Sequence, residues 1–179
     1  MAFALSPERE QLAAQILTRY PDPRAACIPL LHLCQQQHGW CSPEVIDYVA
    51  RRIGVSTAHV LGVVTFYTSL FQKPHPPNVV WVCRTLSCDL RGAKVIQEHL
   101  ERRLGCRPGG RSKDGKFALK KAECLAACGG APVVQINDRY YENLTLAELD
   151  RILDEIAART AAVEPSEPRH QEPDAGGAA

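Results

Sequence analysis

Through the first seventy residues the apolar positions recur at three- and four-residue spacing, the period of helices buried on one side. Ser6-Pro7-Glu8 supplies a capping hydroxyl, a proline at the first helical position and an early acid. The helix it starts should run to about Tyr20, where "YPDP" breaks it. A second passes through Ile28, Leu31 and Leu33 and stops near Gly39. Ser42-Pro43-Glu44 repeats the start signal for a third, with Val45, Ile46, Val49 and Ile53 on one face and Gly54 at its end. Ser56 caps a fourth, around which Val60, Leu61, Val63, Val64, Phe66, Tyr67 and Leu70 cover most of the circumference. Such a helix is expected to be buried, in its own bundle or against a partner.

"KPHPPN", residues 73–78, cannot continue a helix and reads as a stiff linker. Beyond it the period changes. "VVWVC" (79–83) has the form of a short buried strand, and "RGAKVIQEHLERRLG" (91–105) that of an amphipathic helix with Val95, Ile96, Leu100 and Leu104 inward. "FALKKAEC" (117–124) and "PVVQIN" (132–137) read as strands, and "DRYYENL" as a turn and a short strand. "TLAELDRILDEIAAR" (145–159) is a capped helix with Leu146, Leu149, Ile152, Leu153 and Ile156 inward. The order β-α-β-β-β-α requires the first strand to cross over a helix to a parallel neighbour. The predicted class is therefore α+β: a helical N-terminal domain and linker (1–77), then a mixed-sheet domain of thioredoxin-like topology (78–160). The Pro-, Glu-, Ala- and Gly-rich tail (161–179) cannot bury a core and is expected to be disordered.

Composition narrows the function. A chain of 179 residues with 45% hydrophobic and 23% charged residues is that of a globular protein. A formal charge of +1 weighs against a nucleic-acid partner. No run of eighteen apolar residues exists, so no membrane insertion is expected. "MAFALSPEREQL" lacks the basic and long apolar regions of a secretory signal, so the expected location is the cytoplasm. Eight cysteines in such a setting point to metal or redox chemistry before a disulfide framework.

Four of those cysteines form two pairs. Cys83 and Cys88 (C-x4-C) follow the first strand, and Cys124 and Cys128 (C-x3-C) follow a later one. If both strands lie in one sheet, their carboxyl ends can bring both loops to the same edge, where open α/β sheets place their ligands. Structural zinc sites usually present C-x2-C pairs, often with histidine. A [2Fe–2S] unit has two irons, each needing two thiolates, and wider pairs suit it. A zinc-stabilised interaction module nevertheless shares the same four-cysteine pattern. A disulfide oxidoreductase would need C-x-x-C before a helix, and the chain contains none. Gly129 and Gly130 are expected to let the backbone turn in conformations closed to other residues and approach a cluster closely. Arg84, Arg91, Lys120 and Lys121 lie near these cysteines in sequence, where cations would favour the reduced state of an anionic cluster. Cys27, Cys34 and Cys41, spaced by seven, read as core packing, and Cys106 as a residue after a helix end with no chemical role.

Other signals carry less. Residues 42–67 have the outline of a helix-turn-helix, but the second helix offers valines and leucines where a base-reading helix needs polar side chains. No G-x-G-x-x-G or Walker A stretch is present, and "GRSKDGKF" (110–117) reads as a flexible loop without phosphate-binding spacing. His32, His38 and His59 fall on or beside helices with no H-E-x-x-H or triad context.

"HGW", "VLGVVTFYTSLF", the two cysteine pairs and "GGAPVVQINDRYYENLT" together resemble the small thioredoxin-like iron–sulfur subunit of the NADH dehydrogenase module of respiratory complex I. The resemblance covers about residues 7–157. It implies one [2Fe–2S] cluster on Cys83, Cys88, Cys124 and Cys128, near the FMN of a larger flavoprotein partner that oxidises NADH. It further implies a place beside a larger iron–sulfur subunit of the same complex, peripheral to the inner face of the cell membrane. Related subunits serve NAD-linked formate dehydrogenases and NAD-reducing hydrogenases, and these remain alternatives. Cys27, Cys34 and Cys41 are not ligands in that family.

Overall fold

The computed structural model describes residues 3–160, so the expected disordered tail lies outside the described residues. The chain divides into two compact units between His75 and Pro76.

The first unit is helical: α1 (Pro7–Thr18), a short 3-10 turn (Pro23–Ala26), α2 (Cys27–His38), α3 (Pro43–Ile53) and α4 (Thr57–Phe66). Their starts follow the capping signals, with the Ser6, Ser42 and Ser56 hydroxyls accepting from the N–H groups of Arg9, Val45 and His59. Gly39 and Gly54 end α2 and α3 in the left-handed conformation. Leu30, Leu31, Cys34, Val45, Val49, Val60 and Val64 form the centre of its core. At its side Glu10 binds α1 to α3, accepting from the Tyr48 hydroxyl (2.5 Å) and pairing with Arg52 (2.8 Å).

The fourth helix is only partly buried within the chain. Only Val60 and Val64 are buried on it, while Leu61 and Phe66 are exposed, and Tyr67 and Leu70 lie beyond its end. Val60 and Val64 join the core of the unit, Val63 packs against it, and Leu61 and Phe66 stay outside it.

The second unit is a sheet backed by helices. Its elements are β1 (Asn78–Cys83), α5 (Leu86–Leu90), α6 (Ala93–Leu104), β2 (Phe117–Ala122), β3 (Val134–Ile136), β4 (Arg139–Tyr141) and α7 (Leu146–Arg159). The sheet order is β2-β1-β3-β4, with β1 parallel to β2 and the other two pairs antiparallel. Val80, Val82, Phe117, Leu119, Val134 and Ile136 meet Ile96, Leu100, Leu104, Leu149, Ile152 and Leu153 in one core. Polar side chains close the helical layer: Asp150 accepts from His99 (2.8 Å), and Arg103 bridges Asp150 and Asp154.

Three local features differ from the pattern along the chain. Val95 is exposed, because Ala93 and Ile96, rather than Val95, fall on the inward stripe with Leu100. The short α5 is an added element, too brief to show a period in the sequence. Residues 110–117 form an ordered turn in place of a flexible loop. In it the buried Ser112 hydroxyl accepts from Phe117 N–H (3.0 Å) and donates to Asp114.

Leu100 and Leu149 are fully buried between the sheet and its helices. Each replaced by alanine should cost roughly 2–5 kcal/mol, read as a lowered midpoint in chemical denaturation.

Candidate metal centre

Strand pairing fixes where the cysteine loops leave the sheet. β1 and β2 run parallel with Cys83 opposite Ala122, and Arg84 N–H donates to the Ala122 carbonyl at 2.9 Å. Both strands therefore end at one edge, the first releasing the loop and short helix that carry Cys88, the second the loop that carries Cys124 and Cys128. The second loop returns as β3, antiparallel to β1, with Val134 opposite Val82. Its last residue before that strand, Val133, accepts from Cys83 N–H at 3.2 Å. The Ala131–Pro132 peptide in this loop is cis.

The two pairs sit differently. Cys83 and Cys88 are buried, packed with Ala93, Ala131 and Val133 in a small apolar cluster of their own. Burial first, and hydrogen bonding with the Cys83 side chain next, push the Cys88 thiol up to about 11, against a lowering hydrogen bond from the Val133 backbone. Cys128 is close enough to act electrostatically on Cys88. Cys124 and Cys128 are exposed, and Cys124 Sγ accepts the Ala126 N–H at 3.2 Å. Ala126 has φ +57°, so the left-handed residue of this loop is an alanine. All four thiols are free of disulfides. Among the described residues no three histidine, cysteine or acidic side chains gather about a single metal ion. The arrangement brings Cys83 and Cys88 together with Cys128 nearby, and leaves Cys124 at the outer side of its loop.

As a donor set these residues fit a dinuclear iron–sulfur unit. Soft sulfur donors stand at both loops, in two pairs, one for each iron. The buried pair offers exclusion from water, and the exposed pair meets solvent.

Gly129 and Gly130 need a different account from the one expected. Neither has a left-handed φ, and both belong to the single 3-10 turn Cys128–Gly130. Gly130 is required for space: a β-carbon there would stand 2.6 Å from Glu142 Cβ and closer still to its carboxylate. Around Gly129 nothing lies within 4 Å of such a carbon. Of the four basic residues expected near the site, Arg84 pairs with Glu123 (3.4 Å), and Lys120 lies over the Trp81 ring (4.9 Å). Ala126 and Glu142 carry no mark in the linear pattern, because their roles depend on loop geometry and on the return of β4. The paired glycines are the one linear hint of close approach.

The other four cysteines lie outside these two loops. Cys27, Cys34 and Cys41 are buried in the helical unit, where burial raises the thiols of Cys34 to about 12 and of Cys41 to about 11. Cys106 is half-buried beside the sheet core, its thiol also raised by burial.

A sheet with two cysteine loops at one edge, backed by helices on one face, defines a ferredoxin-type protein on a thioredoxin-like frame. Residues 13–157 match the sequence model of the thioredoxin-like [2Fe-2S] ferredoxins, and the chain belongs to that family. It is 40% identical over 157 residues to an NADH-quinone oxidoreductase subunit of Rickettsia bellii, covering 86% of this chain and 94% of that one. An NADH-quinone oxidoreductase subunit of Thermus thermophilus is 39% identical over 149 residues, 82% of each chain. Its counterpart in Rhizobium meliloti is 39% identical over 150 residues, covering 84% of this chain and 89% of the relative. Among solved structures, an NAD+-reducing [NiFe]-hydrogenase aligns with a TM-score of 0.65 at 19% identity. That alignment covers 75% of this chain and 22% of the hydrogenase chain, and it is a likeness of fold.

Substitution separates the two glycines. Gly130→Ala should destabilise the protein by about 1–3 kcal/mol through overpacking against Glu142, whereas Gly129→Ala should stay within about 0.5 kcal/mol of the parent. Paired denaturation curves check both.

Proposed function

We propose that this chain is the electron-transfer subunit of an NADH:quinone oxidoreductase. In this reading it holds one [2Fe–2S] cluster beside the FMN of a flavoprotein partner that oxidises NADH. One observation carries it: four free thiols on two loops of one sheet edge, in a chain about 40% identical to proteins named as NADH-quinone oxidoreductase subunits. Cys83, Cys88, Cys124 and Cys128 would hold the cluster, which when bound supplies a one-electron acceptor. The chain's own work is positional. β1 and β2 hold the thiols at a fixed edge, the apolar cluster around Cys83 and Cys88 keeps water from that side, and Ala126 N–H donates to the Cys124 sulfur. A one-electron step needs neither a general base nor a substrate pocket.

In this account residues 76–160 carry the cluster and the helical unit serves association. Leu61 and Phe66 on α4 and Tyr67 just after it are exposed apolar side chains, which suits contact with the flavoprotein. A larger iron–sulfur subunit completes the complex. No helix among the described residues is long and apolar enough to cross a membrane, and the chain would reach the inner face of the cell membrane only through that complex.

The equivalent place in an NAD-reducing hydrogenase is a second reading, favoured only by likeness of fold. A zinc-stabilised module is disfavoured by the family and by two pairs that lack the C-x2-C spacing of structural zinc sites.

Anaerobically purified protein should show visible bands that bleach on dithionite, with two irons per chain. A colourless protein with one zinc and no iron after cluster reconstitution would end the redox reading. Serine at Cys83, Cys88, Cys124 or Cys128 should weaken or abolish those bands, while serine at Cys27, Cys34 or Cys106 should keep them. Phe66→Glu should keep the cluster and the fold but lower recovery of the flavoprotein in co-purification at least several-fold.

A further inference from the structure

Glu142 is the first residue after β4, and its side chain turns back over the loop of the second cysteine pair. It occupies the space that Gly130 leaves by having no side chain, at the end of the turn that Cys128 begins. The next residue pins it there: Asn143, with φ +49°, donates its N–H to the Gly130 carbonyl at 2.7 Å. Tyr141, on the other side, is in register with Val134, the strand residue that follows the cysteine loop. The carboxylate is thus delivered to the loop by backbone pairing on both flanks.

Among the described residues no hydrogen bond or ion pair engages that carboxylate. Glu123, just before Cys124, is in a different position: Arg84 matches it at 3.4 Å, so the two charges offset each other. Glu142 thus brings an unpaired negative charge to the loop of the second cysteine pair, as Asp89 does beside Cys88 in the first.

We infer that Glu142 is a positioning and potential-setting residue for the iron–sulfur site, holding the Cys128–Gly130 turn by contact and opposing cluster reduction by its charge. The inference rests on the reading of Cys128 as a cluster ligand. Its physical basis is that reduction adds one electron to an already anionic group, and a fixed negative charge nearby disfavours that step. Removing the charge while keeping the shape should therefore make the cluster easier to reduce. Glu142 touches no reacting atom in this account and acts through the loop and the field.

The test is a dye-mediated redox titration of the purified, cluster-containing protein, followed by visible bleaching and electron paramagnetic resonance. Wild type, Glu142→Gln and Asp138→Asn are compared at low and high ionic strength. Asp138 is exposed in the β3–β4 turn, at the far end of the sheet, because Asn137 pairs with Val79 at the start of β1. Glu142→Gln should shift the potential to a more positive value, with the shift shrinking as salt screens the charge. Asp138→Asn should leave it in place. An unmoved potential in Glu142→Gln, or an equal shift in Asp138→Asn, overturns the inference while the cluster assignment stands. So does loss of the cluster in Glu142→Gln alone, which would make the residue's role structural only. A wild-type protein that binds no iron would overturn the ligand assignment, and the inference with it.

Discussion

The parallel pairing of β1 with β2 is the constraint on which the site depends. It sets Cys83 opposite Ala122 and thereby sends both cysteine loops out of the same sheet edge. A parallel pair needs a crossover, and α6 supplies it while covering the sheet with Ile96, Leu100 and Leu104. The register is held by burial. Shifting β1 by one residue would turn Val80 and Val82 away from the helices and expose the core they fill. Placement of the thiols is thus enforced by hydrophobic packing some distance from them, and the loops themselves need little regular structure.

Within that edge the two pairs have unlike surroundings. Cys83 and Cys88 are enclosed by small apolar side chains, whereas Cys124 and Cys128 meet solvent. Enclosure raises the cost of thiolate charge, and a metal group with formal positive charge at its irons is the natural compensation. Exposure leaves the second loop governed by backbone contacts: Ala126 N–H to Cys124, Asn143 N–H to the Gly130 carbonyl, and Glu142 against Gly130. Charge is distributed to match, with Arg84 and Glu123 cancelling beside the first residues of both loops.

Much of this was legible along the chain, for reasons that are local. Ser6, Ser42, Ser56 and Thr145 announce helices because their hydroxyls satisfy backbone donors within three residues. The apolar runs of β1 and β2 are readable because both lie inside a single core. What escaped reading depends on contacts distant in sequence. The α5 turn is fixed by burial of Cys88 against Val133, which arrives from a strand on the far side of the crossover. The exposure of Leu61 and Phe66 on α4 depends on what packs against that helix, which no count of its own residues reveals. The glycine pair is the instructive case. Two consecutive glycines after a cysteine suggest left-handed φ, yet that conformation falls on Ala126, and Gly130 is small because Glu142 comes back over it from β4.

The eight cysteines show how far environment, rather than residue type, decides chemistry. Cys34 and Cys88 are both fully buried, and burial raises both thiols. Around Cys34 the neighbours are the aliphatic side chains of a helical core, so the protonated thiol is a small hydrophobe that fills volume. Around Cys88 stand the Val133 backbone and the Cys83 side chain, with Cys128 near, all at the end of a strand where the chain leaves the sheet. Desolvation alone would make both inert. What sets Cys88 apart is a second sulfur, Cys83, within hydrogen-bonding reach at a sheet edge, whereas Cys41 acts on Cys34 electrostatically inside a helical core. The distinction lies in sheet topology, which collects thiols at an edge, against helix periodicity, which buries them one by one along a face.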